Sequence, residues 1–197
     1  MINCLYKSLN LEASFFAIFD IDKIHLMKIL KRTLLVLVGI ILISIISLVI
    51  FTSSLKPSYE GTIDLKGLTN EVEVYYDDYG VPHIYAQNKL DAEKVLGYVH
   101  AQDRLWQMEL IRRIAAGRLS ELFGEKLVRT DKFFSGLGIE ENATNTIENL
   151  DKDSEEYKLT MAYLDGINQF IKNGATPIEF YLLGIDKEEY TLKDIYN

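Results

Sequence analysis

The chain has 197 residues, 48% of them apolar, and its 29 Asp and Glu outnumber its 21 Lys and Arg to give a net charge of −8. This acidic balance argues against nucleic acid as a partner, because phosphate binding requires clustered Lys and Arg. The single cysteine, Cys4, excludes an internal disulfide, so packing or a partner chain must hold the fold together.

Residues 1–26 form an upstream segment that has neither a helix cap nor a clear hydrophobic period, and no stable fold is predicted for them. Met27 begins a second stretch in which a compact charged region leads directly into an apolar run. Two translation starts therefore remain open, Met1 and Met27. In the second case residues 1–26 are not translated.

Residues 27–52 are predicted to be a membrane anchor or a signal segment. The 18 residues 34–51 carry no charge, and as a helix they would span about 27 Å, close to the thickness of a bilayer core. Lys28, Lys31 and Arg32 precede them, which favours a cytoplasmic N-terminus and a periplasmic or extracellular remainder. An anchor is favoured over a cleaved signal because the apolar run exceeds the usual signal core. A buried soluble helix would normally carry more of a polar face.

The remainder of the chain is strongly acidic. Residues 53–197 hold 16 Lys and Arg against 26 Asp and Glu, a net charge of −10. Ser, Lys and Pro at residues 53–58 are typical of a linker, and the linker is assigned to residues 53–70. Everything after it, residues 71–197, is treated as one region.

A β-hairpin is predicted first in this region. Residues 71–76, EVEVYY, alternate in polarity, which is the period of a half-buried strand. Residues 77–80, DDYG, form a turn, and residues 81–85, VPHIY, return as a second strand that tolerates Pro82 near its start.

Asn88 is expected to cap the next helix, and Asp91 and Glu93 in its first turn suit the helix dipole. Apolar side chains then recur every three or four residues with one slip near Ala101, which predicts one long amphipathic helix or two helices broken near Gly97. The predicted stripe consists of Ala92, Val95, Leu96, Val99, Leu105, Met108, Ile111 and Ala115.

A short helix, RLSELF, is predicted between Gly117 and Gly124. The glycines on either side favour a break in the helical path at both ends. Its three apolar side chains, Leu119, Leu122 and Phe123, are expected to face the core.

The clearest helix runs from Ser154 to Asn173. Asp153 is expected to cap it, with Glu156 completing a capping box and Gly174 ending the helix. Its apolar stripe is Tyr157, Met161, Leu164, Ile167 or Asn168, and Ile171. Two short strands provide too little sheet to cover these helix stripes, so completion by another chain is expected.

Six short blocks occur in a specific order within residues 71–197. They are GVPHIYA at 80–86, GYVHAQDRLWQMELIRR at 97–113, AAGRLSELFG at 115–124, DKF at 131–133, YLDGIN at 163–168 and PIEFYLLGI at 177–185. Together they resemble the start of the α-chain of the penicillin acylase (penicillin amidase) family of N-terminal-nucleophile hydrolases.

The resemblance implies an α+β chain, mostly helical with a short β-hairpin, that forms part of a four-layer αββα fold. The family's nucleophile is the first residue of a separate β-chain released by self-cleavage of a precursor, and no stretch here looks like that start. The chain is therefore read as a fragment or a truncated product, inactive by itself, with no catalytic residue and an unknown substrate-binding set.

The partners that the resemblance implies are the chain's own β-chain and a small N-acyl substrate. The membrane is a further expected partner, through residues 34–51. Substrates in this class include β-lactam side chains, acyl-homoserine lactones and other N-acyl compounds. The family's calcium-binding carboxylate and substrate-lining helix lie beyond the matched region. No cofactor is therefore assigned to this chain, and the resemblance implies calcium only for the complete enzyme.

Several residues of types that occur in active sites are interpreted as structural. Ser120 and Ser135 are the local serine candidates, but neither lies in a nucleophile elbow. His83 and His100 have no neighbouring cluster with metal-ligand spacing. The pair Arg112 and Arg113 is interpreted as a solvated or ion-paired helix face. The glycines at 136 and 138 could begin a dinucleotide-binding fingerprint, but position 141 is Glu and no strand clearly precedes them, so Gly136 to Gly138 are interpreted as a loop. The glycosylation-type triplet from Asn142 to Thr144 is interpreted as coincidental.

Gln102, Asp103 and Arg104 are the densest polar group in an otherwise apolar helix. They are interpreted as a tie between the α-chain and the β-chain rather than as part of a catalytic site. Three apolar neighbours, Trp106, Met108 and Leu110, are assigned to the core, with a substrate cradle as the alternative.

A rival hypothesis is a non-enzymatic, membrane-anchored helical module that binds another protein through its helix stripes. Only the ordered series of motifs argues against it.

Overall fold

The computed structural model describes the backbone of residues 2–197 and the side chains of residues 25–197. The chain divides into two compact units, Met1–Ser53 and Ser54–Asn197. Cys4 lies outside the residues whose side chains are described.

Helix α1, Ile2–Ser54, makes up the first unit. Its part His25–Ser54 is long and apolar enough to cross a membrane, and none of its most apolar window is buried. Such a helix near an N-terminus fits a signal sequence or an anchor. The helix includes residues 2–26, where no stable fold was predicted. The helix continues because no Pro occurs before Pro57 and no Gly before Gly39 to end it.

The second unit contains one β-hairpin followed by helices. In chain order the elements are β1 Glu73–Tyr76, β2 Pro82–Tyr85, α2 Lys89–Ala115, α3 Ser120–Phe123, a 3₁₀ turn Glu125–Leu127, α4 Val128–Gly136, α5 Ile139–Glu148, α6 Glu155–Asn173, α7 Ile178–Leu183 and α8 Leu192–Tyr196. The prediction of a mostly helical chain with a short antiparallel hairpin is confirmed.

The hairpin pairs Glu73 with Tyr85 and Tyr76 with Pro82. Strand β1 begins two residues later than predicted. Asp77 Oδ1 accepts hydrogen bonds from the backbone N–H groups of Tyr79 and Val81, both at 2.9 Å, which closes the turn.

Helices α2 and α6 pack against each other and build most of the core. Gly97 of α2 lies against the backbone of Tyr163, and Gly166 of α6 lies against the backbone of Lys94. A Cβ at either glycine would overlap the facing carbonyl group, so these glycines allow the two helices to approach closely. The buried cluster around this contact comprises Ala101, Leu105, Leu164, Ile167, Phe170, Ile171, Phe180 and Tyr190.

Of the two alternatives predicted for this region, one long helix is confirmed and a break near Gly97 is not observed. Helix α2 is continuous there, and its non-helical residue is Arg104, with φ −134° and ψ 15°. The kink turns the second half of the helix, so that Leu105, Glu109 and Arg113 face inward at four-residue spacing. Two residues of the predicted stripe, Leu96 and Ile111, are exposed instead.

Helix α6 begins one residue later than predicted. Ser154 is its N-cap, accepting a hydrogen bond from Tyr157 N at 3.1 Å, so the cap assigned to Asp153 is wrong. Gly174 is the C-cap, as predicted. Within the stripe Met161 is exposed, whereas Phe170, which the stripe omitted, is buried.

The segment before β1 is hydrogen-bonded to both long helices. Thr69 N and Asn70 N donate to the two carboxylate oxygens of Asp91 at 2.9 and 3.0 Å. Lys66 N donates to Gln169 Oε1 at 2.8 Å. The end of the predicted linker is therefore fixed against α2 and α6.

Asp131 performs the same task for α3. Its carboxylate oxygens accept from Leu119 N at 2.8 Å and from Ser120 N at 2.7 Å, where the short helix begins. The prediction that Phe123 faces the core is wrong, because its side chain is 46% exposed. A helix of one turn held by a carboxylate at its N-terminus does not need all its apolar side chains buried.

Candidate functional site

A groove of about 680 Å³ lies between the hairpin, the segment before it and one face of α2. Tyr98, Val99 and Gln102 of α2 form part of its wall, and Tyr59 and Tyr76 face them. The rings of Tyr59 and Tyr76 meet edge to face, with centroids 5.0 Å apart.

Of the polar group predicted at 102–104, Gln102 lines this groove. The Tyr59 hydroxyl donates to Asp103 Oδ1 at 3.0 Å, and Gln102 Nε2 donates to the Tyr76 hydroxyl at 3.4 Å. Gln102 and Asp103 therefore hold the preceding segment and the hairpin to α2. Arg104 is exposed and takes part in none of the ion pairs found in residues 25–197.

The tyrosines of the groove are poor acids. Burial, with the nearby charge of Asp103, raises the pKa of Tyr76 to about 12. Burial and the hydrogen bond to Asp103 likewise raise the pKa of Tyr59. Both phenols stay protonated near neutral pH, so they act as neutral hydrogen-bonding groups rather than as bases.

The two histidines have structural partners. His83 Nε2 lies 3.2 Å from Asp77 Oδ2, so it joins strand β2 to the turn. His100 Nδ1 is hydrogen-bonded to the Tyr163 hydroxyl and links α2 to α6. Burial, followed by the charge of Arg104, lowers the pKa of His100. The interpretation of both residues as structural agrees with these contacts.

Neither serine is paired with a histidine in the part of the chain whose side chains are described. The backbone N–H of Ser120 is used in the contact with Asp131, and Ser135 is an exposed residue of α4. A Ser–His pair of the kind that activates a serine nucleophile is therefore not assembled by residues 25–197.

A buried ionic cluster closes the C-terminal end of α2. The Glu109 side chain is only 2% exposed and accepts from Arg112 and from Arg113 Nε, the latter at 2.6 Å. Arg113 also donates to Glu121 at 2.8 Å, and the Arg112 guanidinium lies 4.9 Å above the Tyr190 ring. The arginine pair is thus ion-paired and mostly buried rather than solvated.

Sequence reasoning missed Glu109. Its signal was present, because Leu105, Glu109 and Arg113 repeat at four-residue spacing on one helix face. A charged pair at i and i+4 on a face that begins with a core leucine indicates a buried ion pair.

The remaining predicted positions are structural. Trp106 lies edge-on to Phe180, with ring centroids 5.8 Å apart, and Met108 packs against the core cluster. Gly138 adopts a left-handed conformation between α4 and α5, and Asn142 lies inside α5. No group of three or more metal-ligand side chains occurs among residues 25–197.

The family model for penicillin amidase matches residues 71–197. The chain belongs to the penicillin amidase family. The match covers the hairpin, the groove wall on α2, the ionic cluster and all the helices after it, and the ordered motifs lie within it.

Three relatives illustrate the family. A penicillin acylase 2 proenzyme from a Pseudomonas species is 40% identical over 135 residues, 68% of this chain and 17% of that protein. Penicillin G acylase from Escherichia coli is 35% identical over 103 residues, 52% of this chain and 12% of that protein. An acyl-homoserine lactone acylase from Pseudomonas syringae is 40% identical over 85 residues, 43% of this chain and 10% of that protein.

The fold has a counterpart in a solved family member. The thermostable penicillin G acylase from Alcaligenes faecalis shares the fold with a TM-score of 0.55 and 29% identity, over 64% of this chain and 68% of that chain. The family is one of amide hydrolases, and the chain spans about a sixth of the length of the first of these curated relatives.

Proposed function

We propose that this chain is the α-chain part of an exported, membrane-anchored amide hydrolase that acts on N-acyl compounds. The observation that carries the proposal is the match over residues 71–197, with 40% identity to a penicillin acylase proenzyme. The same match argues against the rival hypothesis of a non-enzymatic interaction module.

In this proposal the chain supplies scaffold, and a β-chain from the same precursor supplies the nucleophile. Gln102, Asp103 and Glu109 are all engaged in hydrogen bonds within the described part of the chain, which fits a supporting role. The tie between α-chain and β-chain first assigned to Gln102, Asp103 and Arg104 is retained only for Arg104, whose guanidinium is exposed.

The expected chemistry follows from an N-terminal nucleophile. The free α-amine of the β-chain's first residue removes the proton from its own side chain, which attacks the amide carbonyl of the substrate. The C–N bond breaks as the amine leaves with a proton, and water then hydrolyses the covalent acyl intermediate to release the acid. The groove beneath the hairpin has no assigned role in these steps.

The proposed organisation keeps the four segments predicted from the sequence. Residues 27–52 anchor the chain through 34–51 with the N-terminus in the cytoplasm, residues 53–70 lead out of the membrane, and residues 71–197 join the β-chain in an αββα fold. The upstream residues 1–26 have no assigned role. Calcium, where the complete enzyme uses it, is held by residues outside this chain.

The test compares the purified 197-residue chain with its complete precursor. The precursor should process into two chains and hydrolyse N-acyl substrates such as penicillin G or an N-acyl-homoserine lactone, and replacing the first β-chain residue should abolish both processing and hydrolysis. The 197-residue chain alone should be inactive.

A matched control is the Ser120→Ala, Ser135→Ala double variant of the complete precursor, which should keep its activity. The 197-residue chain carrying the same two substitutions should also be inactive. Hydrolysis by that variant would overturn the proposal that the β-chain supplies the nucleophile.

A further inference from the structure

Helix α4 presents a face that differs in charge from the rest of the second unit. Arg129, Lys132 and Phe133 are exposed on the side opposite the buried Asp131, because residues three and four apart share one helix face. Leu137 follows one turn after Phe133, and Lys126 lies in the 3₁₀ turn that precedes the helix. We call these five residues the α4 face.

The cations of the α4 face are unpaired. None of the ion pairs found in residues 25–197 includes Lys126, Arg129 or Lys132. The one acidic residue within 126–137 is Asp131, whose carboxylate is turned inward and accepts two backbone N–H groups. Three free positive charges thus occur within seven residues of a region whose net charge is −10.

The same face carries large exposed apolar side chains. Phe133 is 63% exposed and Leu137 is 56% exposed. Two exposed apolar side chains elsewhere in the second unit have acidic neighbours instead: Tyr79 follows Asp77 and Asp78, and Ile178 precedes Glu179. Cations beside protruding aromatic and aliphatic groups are the combination by which a helix lies on an anionic lipid surface.

We propose that the α4 face rests on an anionic phospholipid surface. Lys126, Arg129 and Lys132 contact lipid phosphate groups, and Phe133 and Leu137 enter the boundary between headgroups and acyl chains. The candidate span His25–Ser54 in the same chain supports this occupant, because a tether to a bilayer raises the effective concentration of lipid at the second unit. The proposal rests on charge and exposure and is independent of the acylase assignment.

The experiment uses the whole 197-residue chain in lipid nanodiscs, made of phosphatidylcholine alone or of phosphatidylcholine with phosphatidylglycerol. Cys4→Ser removes the native thiol, and Gly136→Cys places an environment-sensitive fluorophore beside the α4 face, where a side chain meets no other group. A Lys152→Cys label in the loop before α6 serves as the control position. Nitroxide lipids in the disc quench a fluorophore that reaches the bilayer.

Quenching at position 136 should exceed that at position 152 in the anionic discs, and it should weaken in neutral discs and in high salt. The triple substitution Lys126→Gln, Arg129→Gln, Lys132→Gln should shift the α4 face from lipid toward water. The ratio of lipid-bound to unbound molecules, obtained from the quenching, should fall about fivefold for each cation removed. The control variant Lys152→Gln, Lys158→Gln, Lys172→Gln removes the same number of charges elsewhere. In the chain labelled at 136, it should change the quenching little.

The outcomes separate this proposal from the proposed function. A label at 136 that remains in water in anionic discs, or that is quenched equally in neutral discs, overturns the lipid contact. A label at 136 that is shielded in the complete precursor without lipid assigns the face to the β-chain and also overturns it. If the chain fails to co-elute with either kind of disc, both the anchor and the lipid contact are excluded. The acylase assignment is decided separately, by whether the complete precursor hydrolyses N-acyl substrates.

Discussion

Two buried carboxylates hold loops to helices in the second unit. Asp91 receives the backbone N–H groups of Thr69 and Asn70, and Asp131 receives those of Leu119 and Ser120. Their side chains replace backbone partners that these segments lack. Asp91 therefore fixes the end of the segment before β1, and Asp131 fixes the start of α3.

These carboxylates make the fold sensitive to acid. Burial raises the pKa of Asp91 and of Asp131, but the hydrogen bonds they accept outweigh it, so both pKa values are lowered. A carboxyl group whose pKa is lowered by folding stabilises the fold at pH values above its pKa in the unfolded chain, about 3.9. That stability is lost as the pH falls through the pKa in the folded chain.

The midpoint of urea unfolding of the chain in detergent should accordingly fall on acidification below about pH 4. Asp131→Asn should lower the midpoint at neutral pH and flatten this dependence. Asp78→Asn, at an exposed turn position, should do neither. A pH dependence that is unchanged in the Asp131 variant would contradict this explanation.

Among residues 25–197, the buried hydroxyl of Tyr190 has no hydrogen-bond partner. Its backbone is fixed by Asn168, which donates to its carbonyl at 2.9 Å and accepts from its N–H at 2.7 Å, and these contacts survive a change of side chain. Tyr190→Phe should therefore be neutral or stabilise the fold by about 1 kcal/mol, since it removes an unsatisfied polar group. Unfolding curves would show this. For comparison, Phe180→Ala, at a fully buried ring, should cost about 3–5 kcal/mol.

At the scale of elements, the contact between α2 and α6 depends on two glycines. Gly97→Ala and Gly166→Ala should each destabilise the chain by about 1–3 kcal/mol or more, because the new methyl group meets the facing helix backbone. Gly136→Ala is the matched control, since a Cβ there meets nothing and alanine favours a helix. Equal unfolding midpoints for Gly97→Ala and Gly136→Ala would exclude the close approach as a source of stability.

The elements differ in how well the sequence predicts them. The hairpin and the long helices follow from alternation, three- to four-residue spacing and the caps Asn88 and Gly174. Local pattern does not reveal the kink at Arg104, because the kink depends on what each half of α2 packs against. For the same reason Leu96 and Ile111 were assigned to the core, although both are exposed.

The candidate site was predictable in part. The QDR motif was identified from its polar residues in an apolar helix, and the structure assigns Gln102 and Asp103 to contacts with Tyr76 and Tyr59. Those partners lie 26 and 44 residues away in the sequence. Spacing within one helix does not encode such long-range pairs, so the groove emerges only from the folded arrangement.

At the scale of the whole molecule, the chain combines an apolar N-terminal helix with an acidic unit that belongs to a family of amide hydrolases. The apolar helix fits an anchor or a signal sequence, and the two make different biochemical predictions. An anchor remains covalently attached to the second unit. A cleaved signal leaves a soluble product.

We expect the expressed chain to stay in the membrane fraction after washing in alkaline carbonate, because residues 34–51 form an uncharged helix about as long as the bilayer core is thick. Protease added from the outer side should degrade residues 54–197, since Lys28, Lys31 and Arg32 favour a cytoplasmic N-terminus. Ile43→Arg should weaken retention, because an arginine near the centre of a span costs about 2.5–3.5 kcal/mol, whereas Ile43→Leu should not. A soluble product that begins near Leu55 would instead identify the segment as a cleaved signal.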